Sequence, residues 1–218
     1  FEVAVHVATL LSVLIVYRER VSSLLIGAVR GDRDAWSYVG MLVVASLPPA
    51  AFGLGLSGII ETAFEVPAVT GVALIGTAAI LWSSKVPLGK DLVATPDLRS
   101  AILMGLAQGV ALIPGVSRSG STVVIALWLG IEAKEAAAFS FLMAIPVISG
   151  AALLQAPDLM GSGTLGITAT ALVVGGVVAG VTGVLAIKTF VLLLKRKSFH
   201  SFGAYCALAG GAFLSFLY

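Results

Sequence analysis

Charged residues are scarce in this chain. They occupy 11% of its 218 positions, whereas a soluble domain carries about 25%. Hydrophobic residues make up 59% and the mean hydropathy is +1.08, which excludes an ordinary water-soluble globular protein and predicts a surface largely covered by lipid. The 13 Lys and Arg residues against 11 Asp and Glu leave a net charge of +2, too small to indicate a nucleic-acid partner.

Cysteine is also scarce. Cys206 is the single cysteine, so an internal disulfide is excluded and the redox compartment is not indicated. The sequence opens at Phe1 inside an apolar run, without Met or a basic region followed by a cleavage site. We expect that a segment precedes Phe1 and that the first membrane helix is truncated.

Six apolar stretches have the length of membrane spans, for which about 20 residues are needed. They are Phe1–Tyr17, Tyr38–Ile60, Val66–Ser84, Ala136–Ala156, Leu165–Ile187 and Phe202–Tyr218. Pro48-Pro49 lies inside the second stretch and predicts a kink there. The pattern predicts one all-α polytopic membrane domain over residues 1–218, with six transmembrane helices.

Basic residues concentrate in three of the connections. They are Arg18, Arg20, Arg30 and Arg33; Lys85, Lys90 and Arg99; and Lys188, Lys195, Arg196 and Lys197. The connections 61–65 and 157–163 contain neither Lys nor Arg. The positive-inside rule therefore predicts that the three basic connections are cytoplasmic and the other two lie outside.

This topology requires residues 100–131 to enter the membrane and return to the same side. Two ordinary spans need about 40 residues, and only 32 are present. The sequence predicts a re-entrant helical hairpin, with Ala101–Ile113 descending, a loop at 114–121 and Thr122–Ile131 returning. Non-helical backbone at this depth requires surrounding protein or a water-filled cavity, so a functional site is expected in the loop.

The segment Pro114–Thr122 contains four hydroxyls, one guanidinium and two glycines. Pro114 is expected to end the first half-helix, and the glycines let backbone amides approach a ligand closely. Ser119, Ser121 or Thr122 can cap the second half-helix, whose N–H groups favour an anion. Together these residues predict a site for an oxyanion.

Arg118 makes the strongest argument for function. An unpaired arginine inside the membrane costs at least about 2.5–3.5 kcal/mol, and no acidic residue lies between Arg99 and Glu132. Its planar fork suits two phosphate oxygens at once. Serine and glycine enrichment by itself can reflect helix packing, and that is the role expected for Gly105 and Gly109.

The run QGVALIPGVSRSGST, residues 108–122, resembles the second motif of the undecaprenyl-diphosphate phosphatase family of the bacitracin-resistance type. Further similar segments follow the family's order: Phe1–Val3, Phe139–Pro146, Ile187–Phe190 and Lys195–Phe199. The resemblance implies inverted repeats and a bacterial inner-membrane enzyme. It would hydrolyse undecaprenyl diphosphate to undecaprenyl phosphate and inorganic phosphate, which recycles the lipid carrier for peptidoglycan synthesis.

The resemblance also implies roles for individual residues. Arg118 and Ser117 would be catalytic, and the phosphate would be bound by Gly115, Ser119, Gly120, Ser121 and Thr122. A divalent cation, Mg²⁺ or Ca²⁺, is implied as cofactor, with ligands in a glutamate-rich first motif that these 218 residues lack. Glu2 is the candidate ligand in this chain, and His6 is not the histidine of that motif. We expect residues 1–218 alone to be inactive.

One alternative from another functional class stays open. Re-entrant loops, inverted repeats and a buried anion site also suit a transporter of polyprenyl-phosphate lipids. In both readings the partners are a polyprenyl lipid and the membrane. The attacking residue, the side of substrate entry and the oligomeric state, a homo-oligomer included, are left open by the sequence.

Overall fold

Helices account for nearly all of the fold. The computed structural model describes residues 2–89, 94–150 and 169–217, apart from the side chains at 2–4, 169 and 171. The helices are α1 (Glu2–Val16), α2 (Arg18–Val29), α3 (Arg33–Gly55), α4 (Ser57–Glu65), α5 (Pro67–Ser83), α6 (Lys85–Leu88), α7 (Leu98–Val110), α8 (Arg118–Trp128), α9 (Ala133–Leu142), α10 (Ala169–Lys195) and α11 (Phe202–Leu217), with a 3₁₀ turn at Phe199–Ser201. The predicted all-α polytopic membrane fold is confirmed.

Five helical segments of the described residues are long and apolar enough to cross a membrane. They are Arg33–Gly55, Pro67–Leu88, Ala133–Gly150, Leu172–Lys195 and Phe199–Leu217. The first predicted span corresponds to α1, which has 15 residues. Residues 151–156 of the fourth predicted span, 165–168 of the fifth and the connection 157–163 lie outside the described residues.

Several predicted boundaries were wrong. The second span begins at Arg33 rather than Tyr38, because the Asp32 carboxylate caps the helix by accepting a hydrogen bond from the Asp34 N–H at 3.0 Å. It is one continuous helix through Pro48-Pro49. Helix α2 lies in the predicted connection between the first two spans, and α4 covers the end of the predicted second span, 57–60, together with the connection 61–65.

The re-entrant hairpin is confirmed by its closed base. The N–H of Ala94 donates to the Gly130 carbonyl at 3.1 Å, and the N–H of Glu132 donates to the Ala94 carbonyl at 3.0 Å. This parallel bridge joins Ala94 to Ile131. Helix α7 thus starts, and α8 finishes, at the same end of the molecule, so the hairpin enters the fold and returns to its own side.

Glycines in α7 allow this helix to lie directly against α3. A Cβ added at Gly105 would come within 2.4 Å of the Ala45 carbonyl oxygen, and one at Gly109 within 2.4 Å of the Phe52 ring. Because Pro49 has no N–H, the Ala45 carbonyl has no helical donor four residues later. The proline therefore leaves a carbonyl that Gly105 can approach, and the predicted packing role of both glycines is confirmed.

The basic connections converge at one end of the helices, here called the basic end. Arg20 forms an ion pair with Glu135 at 2.9 Å, and its guanidinium lies 4.7 Å from the centre of the Tyr38 ring. At the same end, the Trp128 indole donates to the Ser83 hydroxyl at 3.1 Å. The hairpin base and the ends of α5 and α8 are thereby placed on the side that the charge pattern assigns to the cytoplasm.

Candidate functional site

The loop between α7 and α8 is attached to α5 through one hydroxyl. Thr77 donates to the Gly115 carbonyl at 2.9 Å and accepts from the Ser117 N–H at 3.1 Å. Thr77 is 1% exposed, so this hydroxyl satisfies two backbone groups inside the protein. The polar loop therefore has a defined position against a membrane helix.

Gly115 lets the chain turn at the tip of the hairpin. Its φ is +94°, a left-handed conformation that favours glycine. A Cβ at this position would also meet the Thr70 carbonyl oxygen at 2.4 Å and the Ala73 Cβ at 3.0 Å. Thr70 and Ala73 are only three and six residues from Pro67, the start of α5. At 1.5 Å per residue, the tip lies about 5–9 Å from the end of α5 that is opposite the basic end.

The second half-helix begins four residues earlier than predicted. α8 starts at Arg118, and the Ser117 hydroxyl caps it by accepting a hydrogen bond from the Gly120 N–H at 3.1 Å. The expectation that Ser119, Ser121 or Thr122 would be the cap was wrong, because the bonds to Thr77 fix the backbone of Ser117 just ahead of the helix. Arg118 consequently lies in the first turn of α8 rather than in a loop.

This position combines two sources of positive potential. The first N–H groups of a helix and its dipole favour an anion. Among the described residues, no hydrogen bond or ion pair engages the Arg118 guanidinium, and its side chain is half-buried. The Ser117 hydroxyl acts as acceptor in its cap bond, so it keeps a proton to donate. The Ser119 side chain is half-buried, and Ser119 directly follows Arg118 in the sequence.

The hydroxyls of Ser121 and Thr122 point into the protein. Thr122 is fully buried; it donates to the Arg118 carbonyl at 2.9 Å and lies 2.6 Å from the Ser140 hydroxyl. Either hydroxyl can be the donor in that second contact. Ser121 is 6% exposed and its buried hydroxyl has no partner among the described residues. Binding of the phosphate by these two residues stays a prediction; the geometry favours a positioning role for Thr122.

The small size of Gly120 leaves room for the Ser117 cap. A Cβ there would lie 2.7 Å from the Ser117 hydroxyl and 3.1 Å from a methyl of Leu81. Any larger residue would displace the cap that starts α8. Its predicted contact with the phosphate also stays a prediction.

The other end of the hairpin begins with a well-formed cap. Asp97 accepts from the Ser100 N–H at 2.8 Å, and the Ser100 hydroxyl is 2.8 Å from the Asp97 N–H. These bonds to Ser100 lower the pKa of the exposed Asp97 carboxyl. This reciprocal capping box fixes the start of α7.

The described residues do not fit a divalent cation beside Arg118. They contain no group of three His, Cys, Asp or Glu side chains able to hold a metal ion. Glu132 follows the hairpin base and Glu135 pairs with Arg20 at the basic end. Mg²⁺ and Ca²⁺ require oxygen ligands at about 2.0–2.6 Å. The Glu2 side chain lies outside the described residues, and His6 has an exposed side chain in α1.

Thr77 and Ser140 were missed as site residues by sequence reasoning. Each is a buried hydroxyl between apolar neighbours in its helix. That isolation is a usable signal, because a buried polar group needs a partner. The identity of the partner was not readable, since Thr77 and Ser117 are 40 positions apart in sequence.

Comparisons with known proteins give a consistent result. A family model described as "Bacitracin resistance protein BacA" matches residues 1–212. A relative from Desulfosudis oleivorans named undecaprenyl-diphosphatase is 36% identical, covering 98% of this chain and 83% of its own length. Relatives of the same name from Rhizorhabdus wittichii and Korarchaeum cryptofilum are 36% and 33% identical over all of this chain, and 82% and 84% of their own lengths are matched.

Proposed function

The chain belongs to the bacitracin resistance protein BacA family, and we propose that it hydrolyses undecaprenyl diphosphate to undecaprenyl phosphate and inorganic phosphate. This reaction recycles the lipid carrier used in peptidoglycan synthesis. The proposal is supported by relatives named undecaprenyl-diphosphatase that match at least 98% of the chain. The observation that carries it is Arg118, a cation without a partner among the described residues, at the start of a helix inside a re-entrant hairpin.

Phosphoryl transfer depends mainly on positioning and on neutralising the charge of the phosphoryl oxygens. Arg118 can contact two oxygens of the diphosphate through its planar fork. The N–H groups in the first turn of α8 and the hydroxyls of Ser117 and Ser119 can donate to the remaining oxygens. The backbone that carries these donors is held by Thr77 and by the Thr122–Ser140 contact, so it needs little reorganisation when charge develops.

The position of the loop supports entry of the diphosphate from the end opposite the basic end. Gly115 contacts α5 near the start of that helix. A neighbouring apolar groove of about 670 Å³ is lined by Gly55, Ile59, Val66 and other residues at the same end. A polyprenyl chain could lie in this groove or against the exposed apolar helix faces while its diphosphate reaches the hairpin.

The divalent cation implied by the sequence resemblance stays part of the proposal. When bound, such an ion neutralises phosphoryl oxygens and polarises the bond that breaks. The described residues provide no carboxylate cage next to Arg118. The same proposal places the protein in a bacterial inner membrane.

The test is phosphate release from polyprenyl diphosphate by the intact protein in detergent. Arg118→Ala and Arg118→Lys are each expected to lower turnover by about a hundredfold, the usual loss for a preorganised charge donor. Lysine keeps the charge but not the fork. Arg30→Lys is the matched control, since Arg30 is exposed at the end of α2. Near-native turnover of Arg118→Lys would exclude the bidentate contact, and an intact diphosphate with wild-type protein would favour the transporter.

A further inference from the structure

A polar cavity lies at the basic end, away from the hairpin tip. It has a volume of about 720 Å³ and is enclosed by the corner between α1 and α2, the start of α9 and the end of α10. Val16, Val191 and Leu192 form an apolar wall. The charged lining residues are Glu19, Arg20, Lys134, Glu135, Lys188 and Lys195. The cavity thus combines an apolar side with a charged side.

The charge of this cavity is positive. Four cations face two carboxylates, which leaves a net charge of +2. Glu135 is already engaged by Arg20 at 2.9 Å. Within the described parts of the chain, Lys134, Lys188 and Lys195 have no ion pair. Three ammonium groups are therefore available to an anion.

Two of the lysines form a row along α10. Lys188 and Lys195 are seven residues apart, so they share a helix face about 10 Å apart, with Val191 and Leu192 between them. Both lie within the span Leu172–Lys195. An ionisable residue inside a span is costly and marks a binding or transport function by default. Lys188 is about two helical turns inside the end of this span.

Two residues that line the cavity have buried polar atoms without a partner among the described residues. They are the Tyr17 hydroxyl and the Nε of Arg20. The Tyr17 hydroxyl can donate a hydrogen bond to an anion. Leaving such a group without a partner inside the protein is unfavourable. A ligand or ordered water in the cavity would relieve part of this cost.

From these observations we infer that the cavity binds the phosphate headgroup of an anionic phospholipid at the basic end. The lysines would contact the phosphate oxygens, and the apolar wall would accept the first part of an acyl chain. Basic pockets between transmembrane helices on the cytoplasmic side have this chemistry. The inference does not depend on the proposed hydrolase function, because the cavity contains none of the residues of the hairpin tip.

Lipid binding to the purified chain tests this inference without an activity assay. Binding of cardiolipin, phosphatidylglycerol and phosphatidylethanolamine would be measured by native mass spectrometry, and thermal unfolding would be followed with each lipid, a short polyprenyl phosphate or inorganic phosphate. The cavity variant combines Lys134→Gln, Lys188→Gln and Lys195→Gln. The matched control combines Arg30→Gln, Lys85→Gln and Arg196→Gln, which are exposed and do not line the cavity. Both variants lose the same charge.

We expect the anionic phospholipids to bind and stabilise the wild type, and the zwitterionic lipid and inorganic phosphate to have little effect. Each basic residue near the surface contributes roughly fivefold in affinity, so the cavity variant should bind about a hundredfold more weakly. The control should stay within a few-fold of the wild type. Equal losses in both variants, or none in either, would overturn the inference. Stabilisation by inorganic phosphate or polyprenyl phosphate but not by the phospholipids would also overturn it.

Discussion

Thr77→Val is the substitution that best tests how the hairpin tip is positioned. Valine has nearly the shape of threonine but lacks the hydroxyl that joins α5 to both Gly115 and Ser117. The side chain is 1% exposed, so water cannot easily replace it. The change therefore removes two hydrogen bonds and leaves a carbonyl and an N–H without a partner, while the apolar packing is largely kept.

The magnitude follows from those two bonds. A typical intramolecular hydrogen bond contributes about 1 kcal/mol net, and an unsatisfied buried partner costs about 1–3 kcal/mol. Gly115 and Ser117 are half-buried, so the lower end applies and the total is about 2 kcal/mol. Since about 1.4 kcal/mol corresponds to a factor of ten, turnover of polyprenyl diphosphate should fall by up to about thirtyfold.

The assay is phosphate release by the intact protein, with two comparison variants. Thr77→Ser keeps the hydroxyl and should recover most of the lost rate. Thr182→Val also removes a hydroxyl from a membrane helix, but that hydroxyl bonds only to carbonyls of its own helix, Val178 and Ala179, so turnover should be unchanged. Wild-type turnover of Thr77→Val, or a Thr77→Ser variant as impaired as Thr77→Val, would refute the argument.

Three further predictions concern topology, packing and the cation. In a Cys206→Ala background, cysteines at Arg30 and Lys85 should be labelled from the cytoplasm and one at Gly58 from the other side; labelling of Arg30 and Lys85 from opposite sides would rule out the topology. Gly105→Ala should lower the unfolding temperature, because overpacking against the backbone of α3 reduces the free energy of unfolding by about 1–3 kcal/mol. Gly40→Ala, where an added Cβ meets nothing within 4 Å, should leave the unfolding temperature unchanged. Equal effects of the two substitutions would contradict the close contact. EDTA should abolish phosphate release, with recovery on adding Mg²⁺ or Ca²⁺; undiminished turnover in EDTA would disprove the requirement.

The re-entrant hairpin was predictable because it follows from the number of residues available and from the positions of the basic residues. Residues 100–131 are too few for two spans, the basic connections flank them, and Pro114-Gly115 interrupts the helix. Each of these facts is local in sequence. The bridge between Ala94 and Ile131 then follows from the requirement that both ends return to one side.

The start of α8 was not predictable in the same way. Ser117, Ser119, Ser121 and Thr122 are all favourable N-cap residues, so local preference does not choose among them. The choice is made by Thr77, which is distant in sequence and bonds the backbone on both sides of Val116. Pairing of Thr122 with Ser140 is a tertiary contact of the same kind.

The two buried or half-buried arginines of this chain show why the hairpin suits an anion. Arg20 has a carboxylate at 2.9 Å and an aromatic ring at 4.7 Å, so its charge is balanced within the fold. The groups that position the turn around Arg118, the hydroxyls of Thr77, Ser117 and Thr122, are all neutral. They hold the backbone without neutralising the guanidinium. Because the described residues satisfy the backbone but do not balance the charge, the free energy of burying Arg118 is best recovered by binding an anion.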